Sequence, residues 1–434
     1  MLQTAPFCAT AAPARSRADS ELIPVLLFGG AFVSIAFQTS IGHLGAGFEI
    51  VETARNLAEH GTFANPFSIL PTGPSAHCAP LYPAFLALLI RIFGYSTAFA
   101  RAAFLCCMAM HALHAALLPY VSGLFFRDRR PGIWAAAASI AFPIFYFFPQ
   151  FEIMYAAVGL MLFCLAAARL ARRAGAWHGL ACGLLAGLLA LLNPATVFIT
   201  GLWLLFLLWR DSISRPWKFI AWAMLGGLLT LSPWTWRNYR EFHMLVPVRD
   251  DMGLELYVSN NDLAQASFSL NGASHQLRHP NGSLDEARAV RAMGEAQYSR
   301  DRGARALAWI RSHPERFLRL TAARARMFWL SEAQDGPLHT WSIVWTTLAS
   351  ACALLIMAIR REPIALFIAA VMLVYPLLYY GVQFDPRYRV PILWLTLLGA
   401  GYLLSTVWDL AAPALSLVSG RQRTLSLHCQ HPEL

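Results

Sequence analysis

The chain has 434 residues, of which 57% are hydrophobic and only 13% are charged. A soluble protein of this length does not cover its surface with so few charges. The formal net charge of +10 gives no reason to expect a nucleic-acid partner, because basic cytoplasmic loops of a membrane protein explain much of such a surplus. The composition therefore predicts an all-α polytopic membrane protein.

Apolar segments long enough to span a bilayer recur along most of the chain. The first, Leu22 to Gly42, is too long for the core of a signal peptide, so we expect it to remain as the first span. Further segments occupy 80–94, 96–126, 132–149, 153–171, 177–193, 194–209, 217–233, 338–359, 363–381 and 390–408. Together they predict about ten or eleven crossings. The segment 80–94 is about four turns long and contains Arg91, which favours a short, re-entrant or in-plane helix.

Arginine clusters follow several of these segments. The positive-inside rule places all of them in the cytoplasm if the region 80–126 makes an odd number of net crossings. Three polar regions then lie outside, namely the loop 43–79, the long loop 234–337 and the turn 382–389. The tip Phe148–Glu152 faces the same side, so several polar features converge on one face of the membrane.

These boundaries divide the chain into five parts. They are a cytoplasmic N-terminal tail (1–21), an N-terminal transmembrane module that includes the first outer loop (22–233), a large extracytoplasmic loop (234–337), C-terminal transmembrane helices (338–408) and a cytoplasmic tail (409–434). The large loop is predicted to be folded. Within it, Val246–Asn261 alternates and ends in turn residues, which favours a hairpin or strand. Residues 284–312 have a helical composition, and Ser312-His313-Pro314 restarts a helix.

The first outer loop begins with the spacing of an amphipathic helix that ends at Gly61. One face carries polar side chains and the other apolar ones: Glu49, Glu52, Thr53, Asn56 and His60 against Ile50, Ala54, Leu57 and Ala58. Such a helix lies flat on the membrane and turns its acidic face towards a cavity. For Glu52 and Glu59 we prefer a solvated surface, whereas for Glu49 we prefer chemistry, since a charge at the bilayer boundary is costly unless it is used or paired.

Short motifs occur in a fixed order along the chain. They are Phe48-Glu49, Ala54-Arg55-Asn56-Leu57, Gly61-Thr62-Phe63, Pro80-Leu81-Tyr82-Pro83, Phe93-Gly94 with Arg101, the run Leu231 to Tyr239, Gly253 followed by Asn260-Asn261, and Tyr375-Pro376 followed by Arg387-Tyr388-Arg389-Val390-Pro391. In this order the chain resembles the membrane glycosyltransferases of the GT-C superfamily. The resemblance is strongest to the bacterial branch related to protein O-mannosyltransferases and aminoarabinose transferases (glycosyltransferase family 39), and it extends to about Leu404.

The resemblance implies a GT-C-like helical bundle in the plasma (inner) membrane. It implies transfer of a sugar from a polyprenyl-phosphate carrier to a glycan, lipid or protein acceptor at the outer face, by an inverting single displacement. The expected partners are that donor, the acceptor and membrane lipid, with no nucleic acid. No cofactor is predicted, and a requirement for a divalent metal is left open.

Two acids are candidates for catalysis through this resemblance. The family has an acidic residue at the start of the first outer loop, at the reacting centre, and Glu49 matches it as general base or acceptor-orienting carboxylate. Many relatives have aspartate there, so the longer glutamate leaves its pose open. A second acid on the next outer tip is matched by Glu152. Its alternative role is to stabilise the N-terminus of the helix that follows.

The leaving polyprenyl phosphate needs fixed cations, and arginine can grip two phosphate oxygens at once. The candidates are Arg237, with Asn238 beside it in the motif, and the pair Arg387 and Arg389. Arg237 has an alternative role as a snorkelling anchor beside tryptophans. Asp385 has the alternative role of neutralising one member of the pair.

Two further residues are predicted to contact substrate. His77 precedes a proline-rich turn, where relatives often have a histidine, and would donate to the phosphate or the acceptor; the alternative is a solvated loop histidine. Tyr82 would line the pocket. No metal site is predicted, because the eight cysteines show no metal-ligand spacing and His111 with His114 favour hydrogen bonding inside the bundle.

Two other classes of protein compete with this interpretation. A transporter or flippase of a lipid-linked substrate favours acids and broken helices near the middle of the membrane, with paired repeats. The key acids here lie at the outer interface, and we find no repeat. A membrane scaffold without catalysis would tolerate exchange of Glu49, Arg237 and Arg387.

Overall fold

The structure is a computed structural model that describes residues 17–38, 48–144, 147–173, 175–210, 216–274, 278–332 and 336–428, without the side chains of 17–21 and 413–428. Most of the predicted N-terminal tail and residues 43–47 of the first outer loop lie outside the described residues. Within those ranges the chain is helical, with two isolated β-bridges and no named strand. The prediction of an all-α protein is confirmed.

The helices follow one another with short connections. They are α1 (Arg17–Gln38), α2 (Glu49–His60), α3 (Leu81–Phe93), α4 (Thr97–Phe126), α5 (Arg130–Ala141), α6 (Ile153–Ala171), α7 (Ala176–Leu192), α8 (Thr196–Arg210), α9 (Pro216–Phe242), α10 (Met252–Ser259), α11 (Phe268–Ala273), α12 (Leu284–Met293), α13 (Glu295–Ser312), α14 (Pro314–Leu330), α15 (Pro337–Ile359), α16 (Ile364–Val374), α17 (Leu377–Tyr380) and α18 (Leu393–His428). A 3₁₀ helix, Pro386–Ile392, leads into α18.

Four helical segments in the described part of the chain are long and apolar enough to cross a membrane: Thr97–Phe126, Ile153–Ala171, Pro337–Ile359 and Pro386–Ala412. Five shorter apolar helices accompany them: Leu22–Gln38, Leu81–Phe93, Ala176–Leu192, Thr196–Arg210 and Ile364–Tyr380. The protein is therefore a polytopic helical membrane protein, as predicted. The number of crossings stays a prediction. At 13 residues, α3 is about 20 Å long and shorter than the hydrocarbon core of about 30 Å.

The centre of the bundle is an aromatic cluster. Phe125 of α4, Trp203 of α8 and Phe367 of α16 pack together, with ring centroids 5.3 Å apart between Phe125 and Trp203 and 4.8 Å apart between Trp203 and Phe367. Trp394 of α18 joins them and is fully buried. Because rings from four helices interlock here, the helix ends that carry the polar loops are held in fixed relative positions.

Helices α7 and α9 approach each other with almost no side chain between them. Gly179, Gly183 and Gly187 recur every fourth residue and therefore form one stripe along α7. A Cβ atom on Gly183 would lie 1.9 Å from the carbonyl oxygen of Ala223, which only glycine permits. This contact resembles the small-residue packing of membrane helices, and it fixes the end of α7 beside the C-terminal half of α9.

The first outer loop confirms one expectation and refines it. Helix α2 ends at Gly61, whose φ of 70° suits a left-handed cap. Ile50 and Ala54 are buried as expected, but Thr53, expected on the polar face, is fully buried. Its hydroxyl donates to the Glu49 carbonyl at 2.7 Å, which satisfies it inside the protein.

The large loop is helical where a hairpin was expected. Residues Met252–Ser259 form α10, so the predicted hairpin or strand at Val246–Asn261 is wrong. The physical reason is a tertiary contact: a Cβ on Gly253 would lie 2.0 Å from the Ser299 carbonyl oxygen. Glycine therefore allows α10 to pack directly on α13, and burial overrides the local alternation.

The rest of the large loop agrees with the sequence. The helical region 284–312 is confirmed but is split into α12 and α13 at Gly294, whose φ is +79°. The predicted restart is confirmed as α14, with Pro314 in its first turn. Helices α10 to α14 thus form a compact unit over one end of the bundle, next to the first outer loop.

Candidate functional site

One cavity of about 800 Å³ lies where the first outer loop, the tip before α6, the large loop and the 3₁₀ helix meet. Its acidic, guanidinium and imidazole lining residues are six carboxylates, two guanidiniums and two imidazoles: Glu49, Glu152, Asp251, Glu255, Glu332, Asp385, Arg249, Arg387, His77 and His279. Aromatic side chains, including Phe48, Phe151 and Tyr388, complete the wall. Apolar walls with a few convergent polar groups are the usual form of a small-molecule site.

Glu49 is the first residue of α2, and the packing of that helix aims it at the cavity. The carbonyl of Phe48 accepts hydrogen bonds from the amides of Val51 and Glu52, which begins the helix. The Glu49 carboxylate accepts a hydrogen bond from the Asn281 side chain at 2.6 Å. Nε2 of His279 lies 3.7 Å from the same oxygen. The acid therefore stands between the first outer loop and the large loop, held by two side chains of the latter.

Glu49, His77 and His279 form a cluster with the character of a metal site. Their ligand atoms all lie within 4.8 Å of one another. Burial above all, with His279 and Arg249 adding to it, holds the pKa of His77 well below its usual range, so this imidazole is neutral at neutral pH. Two imidazoles and a carboxylate are a donor set suited to Zn²⁺. The sequence predicted no metal site, and His279 is the member of this cluster that it did not single out.

Glu152 also lines the cavity. It occupies the N-cap position of α6, yet its side chain makes no cap hydrogen bond. Its Oε1 instead accepts a hydrogen bond from the Asn193 side chain, at the end of α7, at 2.9 Å. Because Glu152 is only 6% exposed, this bond directs the carboxylate, and capping of α6 does not.

Arg387 lies in the cavity wall with its charge partly matched. Its guanidinium stacks over the Phe151 ring at 4.1 Å, and its Nε lies 3.4 Å from an Asp385 carboxylate oxygen. Asp385 also accepts a hydrogen bond from the Arg387 amide at 2.9 Å. The alternative weighed for Asp385, neutralising one arginine of the pair, therefore applies to Arg387. The side chain still faces the cavity, held flat against an aromatic ring.

Four predicted substrate-binding residues do not line the cavity. Arg237 donates to the carbonyls of Phe63 and Ser75, at 2.7 and 2.6 Å. Asn238 donates to the Val246 carbonyl at 3.0 Å. These donors fasten the first outer loop and the segment after α9, and substrate contact by either residue stays a prediction.

The other two are bound in the same way. Tyr82 donates its hydroxyl to the Pro149 carbonyl at 2.7 Å. Arg389 donates to the Trp329 carbonyl at 3.0 Å and to the Thr347 hydroxyl at 2.8 Å. Backbone carbonyls and a hydroxyl therefore occupy these donors behind the wall, and contact of Tyr82 or Arg389 with substrate stays a prediction.

The large loop contributes polar residues that the sequence did not single out. Arg249 forms an ion pair with Asp251, and Glu332 accepts a hydrogen bond from Ser269 at 2.7 Å. The charged run Arg249-Asp250-Asp251 is the sequence feature that marks the segment after α9.

The fold was compared with known proteins. No protein-family profile matches the chain, and no curated protein matches it by sequence. The oligosaccharyltransferase AglB from Archaeoglobus fulgidus, in complex with an inhibitory peptide and a dolichol-phosphate, has a similar structure with a TM-score of 0.56 and 12% identity. That match covers 93% of this chain and 52% of the other. The A. fulgidus oligosaccharyltransferase in complex with Zn and sulfate matches with a TM-score of 0.53 and 12% identity, over 92% of this chain and 51% of the other.

ArnT from Cupriavidus metallidurans, bound to undecaprenyl phosphate, also matches, with a TM-score of 0.41 and 15% identity over 92% of this chain and 80% of that one. Nothing is concluded from a score of this size. The chain spans about half the length of the A. fulgidus structures, and at 12% identity the similarity concerns the fold. The predicted GT-C-like fold is confirmed.

Proposed function

We propose that this chain is a membrane glycosyltransferase that moves a sugar from a polyprenyl-phosphate carrier to a glycan, lipid or protein acceptor at the outer face of the inner membrane. The observation that carries the proposal is the convergence of Glu49, Glu152 and Arg387 on one cavity. The shared fold supports it, because the similar AglB structure contains a dolichol-phosphate and a peptide. The full activity of the longer A. fulgidus enzyme is not implied.

In the proposed reaction, Glu49 is the general base. It accepts the proton of the acceptor hydroxyl while that oxygen bonds to the anomeric carbon of the donor sugar. The bond from this carbon to the phosphate oxygen breaks, its electron pair leaves with the polyprenyl phosphate, and the configuration of the sugar inverts. A sugar hydroxyl is a poor nucleophile, so proton removal at this step contributes about 10²–10⁴-fold in rate. Asn281, which donates to Glu49 at 2.6 Å, orients the base.

Arg387 meets the charge that develops on the leaving phosphate. Its guanidinium is already fixed by the Phe151 ring and by Asp385, so little reorganisation is needed when the charge appears. Glu152, held by Asn193, faces the cavity as a fixed hydrogen-bond acceptor. We assign it to sugar or acceptor hydroxyls, which donate to carboxylates.

The test is reconstitution with radiolabelled polyprenyl-phosphate sugars and candidate acceptors, comparing the intact protein with Glu49→Gln. The variant keeps the shape of the side chain but cannot accept the proton, so we expect transfer to fall by about 10²–10⁴-fold. The matched control is Glu59→Gln. Glu59 belongs to the same helix but is exposed and pairs with Arg55, so transfer should be unchanged. Repeating the assay with a chelator and then with added Zn²⁺ decides whether the reaction needs a metal.

Two outcomes contradict the proposal in different ways. Undiminished transfer by Glu49→Gln removes Glu49 from the mechanism while leaving the enzyme class intact. Complete absence of transfer by the intact protein with every donor, alongside uptake or flipping of a lipid-linked substrate in the same vesicles, replaces the glycosyltransferase with a transporter.

A further inference from the structure

A buried carboxyl pair lies behind the wall of the cavity. Glu295, the first residue of α13, is 4% exposed. Asp250 is tied to the same helix, because its carbonyl accepts a hydrogen bond from the Ser299 hydroxyl, and the two carboxyls lie near enough for each to shift the pKa of the other. Apart from this mutual influence, Oε2 of Glu295 and both side-chain oxygens of Asp250 have no hydrogen-bond partner among the described residues. Two carboxyl groups placed in this way repel each other unless they share a proton.

The position of the shared proton follows from the other hydrogen bonds of Glu295. Its Oε1 accepts from the Ala76 amide at 2.6 Å and from the Ser75 hydroxyl at 3.1 Å. Oε1 is therefore occupied as an acceptor, and Oε2 is the oxygen that donates a proton to Asp250. Burial, reinforced by the charge of Asp250, raises the pKa of Glu295 well above its usual range, and burial raises the pKa of Asp250 to about 6.

Charged groups around the pair keep one of its members ionised. Arg237 from α9 and Arg249, next to Asp250 in the chain, both favour the ionised form of Asp250. The Cys78 thiol of the first outer loop lies in the field of Glu295. At neutral pH the pair therefore carries one negative charge, on Asp250 and stabilised by two arginines, and one proton, on Glu295.

The pair grips a single residue of the first outer loop from both sides. The amide of Ala76 donates to Glu295, and the carbonyl of Ala76 accepts a hydrogen bond from the Asp250 amide at 3.2 Å. Residues adjacent to both partners of this grip, His77 on one side and Arg249 with Asp251 on the other, line the cavity. Separation of the two carboxyls would therefore move two parts of the wall apart.

We propose that Asp250 and Glu295 are positioning residues that use one shared proton to hold the His77 segment against the Arg249–Asp251 segment, and so keep the cavity assembled. The assembled cavity matters for activity only if the proposed function holds, whereas the grip itself is independent of it. The sign of its pH dependence is fixed. A carboxyl whose pKa is raised by folding stabilises the folded arrangement at low pH, and this stabilisation is lost as the pH rises through the raised value.

Hydrogen exchange tests the grip without any substrate. Exchange of the Ala76 and Asp250 amides is followed by mass spectrometry in purified, full-length protein from about pH 6 to about pH 10, after correction for intrinsic rates. In the wild type, protection of at least one of these amides falls above the pKa of the pair, by up to about tenfold per pH unit for loss of one proton. In Glu295→Gln the amide NH₂ donates to Asp250 and cannot ionise, so protection stays constant with pH.

A second variant and a control make the test secure. Asp250→Asn also removes the repulsion and serves if Glu295→Gln does not fold. Glu286→Gln is the matched control, because Glu286 is an acid of the same large loop that pairs with Arg302 and Tyr298 and does not touch Ala76. In this control the pH dependence of Ala76 and Asp250 protection matches the wild type.

The possible results distinguish this inference from the proposed function. A pH-independent protection in the wild type, or equal pH dependence in the wild type, Glu295→Gln and Asp250→Asn, overturns the proposal. Where transfer activity is measurable, the alkaline fall in kcat/KM shifts to higher pH in Glu295→Gln, a change that a merely structural contact would not produce. Absence of transfer with a pH-dependent grip rejects the proposed function and leaves this inference standing.

Discussion

Arg387 and Arg389 show how two identical side chains, two positions apart, acquire opposite surroundings. They belong to a 3₁₀ helix with about three residues per turn, so residues i and i+2 point in different directions. Arg387 faces the cavity over Phe151. Arg389 is 4% exposed and donates to the Trp329 carbonyl and to Thr347. Arg387 therefore faces the cavity, whereas Arg389 holds buried parts of the fold together.

Substitutions of the two arginines are predicted to have different effects, one on activity and the other on stability. Arg387→Gln removes the cation that faces the leaving phosphate, so kcat/KM for the donor should fall by about 10²–10³-fold, the usual effect of losing one such donor. Arg389→Gln withdraws donors from buried acceptors and should cost about 1–3 kcal/mol of stability. Transfer assays and thermal unfolding of the purified variants in detergent measure both effects.

The difference between the variants tests whether Arg387 acts in the cavity or in the fold. Arg387→Lys keeps the charge but loses the planar fork, so its activity should lie between the wild type and Arg387→Gln. If Arg387→Gln instead unfolds at a much lower temperature while keeping its specific activity, Arg387 belongs to the fold and not to the site.

At the level of single residues, the sequence identified the acids better than their partners. Glu49 stands out because a carboxylate beside an apolar segment is costly unless it is used, and Glu152 is a candidate because the resemblance implies a second acid on the next outer tip. His279 and Arg249 lie in a long loop whose path depends on tertiary contacts, so no local pattern predicts that they meet Glu49 or His77. Arg237 looked like a phosphate ligand because sequence cannot tell a donor used by backbone carbonyls from one left for a substrate.

At the level of elements, α7 and α9 form the most closely packed pair of helices that the structure describes. The Gly183 stripe brings the backbone of α7 against the Ala223 carbonyl of α9. The packing of α7 on α9 therefore determines where Asn193, which follows α7, lies along the bundle relative to Arg237 on α9. A change that forces the helices apart would therefore be transmitted to Glu152, which Asn193 holds.

We predict that Gly183→Ala destabilises the protein by about 1–3 kcal/mol, the usual cost of overpacking a filled interior. The added Cβ would lie 1.9 Å from the Ala223 oxygen, so the helices must separate. The matched control is Gly201→Ala on α8, where a Cβ meets nothing within 4 Å and alanine favours the helix. Thermal unfolding in detergent should show a lower midpoint for the first variant alone. Equal midpoints would show that the stripe is not under packing constraint.

Helix boundaries illustrate what hydropathy predicts and where it stops. The apolar segment 132–149 predicted one long span, but α5 ends at Ala141, because Pro143 restricts the residue before it and supplies no amide. In the other direction, α9 continues through Pro233 to Phe242, beyond the end of the apolar segment at 233. Membrane spans are predictable because one apolar run is enough to define them, whereas their ends depend on neighbours.

At the scale of the whole molecule, the first outer loop, the tip before α6 and the large loop all meet at one end of the bundle, around the cavity. The sequence predicted this convergence from the positive-inside rule, and it also predicted that this end is extracytoplasmic. The side of the membrane on which this end lies stays a prediction. Cys78 in the first outer loop is only 5% exposed and is a poor chemical probe of it.

Labelling of an introduced cysteine identifies the side of the membrane on which the cavity lies. Thr62→Cys places a thiol at an exposed position of the first outer loop, and Arg173→Cys places one at an exposed position after α6, in a predicted cytoplasmic cluster. We expect a membrane-impermeant maleimide added to spheroplasts to label Thr62→Cys at once and Arg173→Cys only after lysis. The reverse order would put the cavity in the cytoplasm and end the proposal of transfer at the outer face.

The balance of charge in the cavity has a consequence for turnover. Six carboxylates line it against two guanidiniums, and both guanidiniums already have an aspartate neighbour. A phosphodiester donor brings one negative charge into this surrounding, whereas the phosphomonoester left after transfer approaches two. The same wall thus tolerates the incoming carrier better than the spent one. Repulsion of the spent carrier would speed its exit into the bilayer. In kinetic measurements, this difference between donor and product would be observed as weak inhibition by the product.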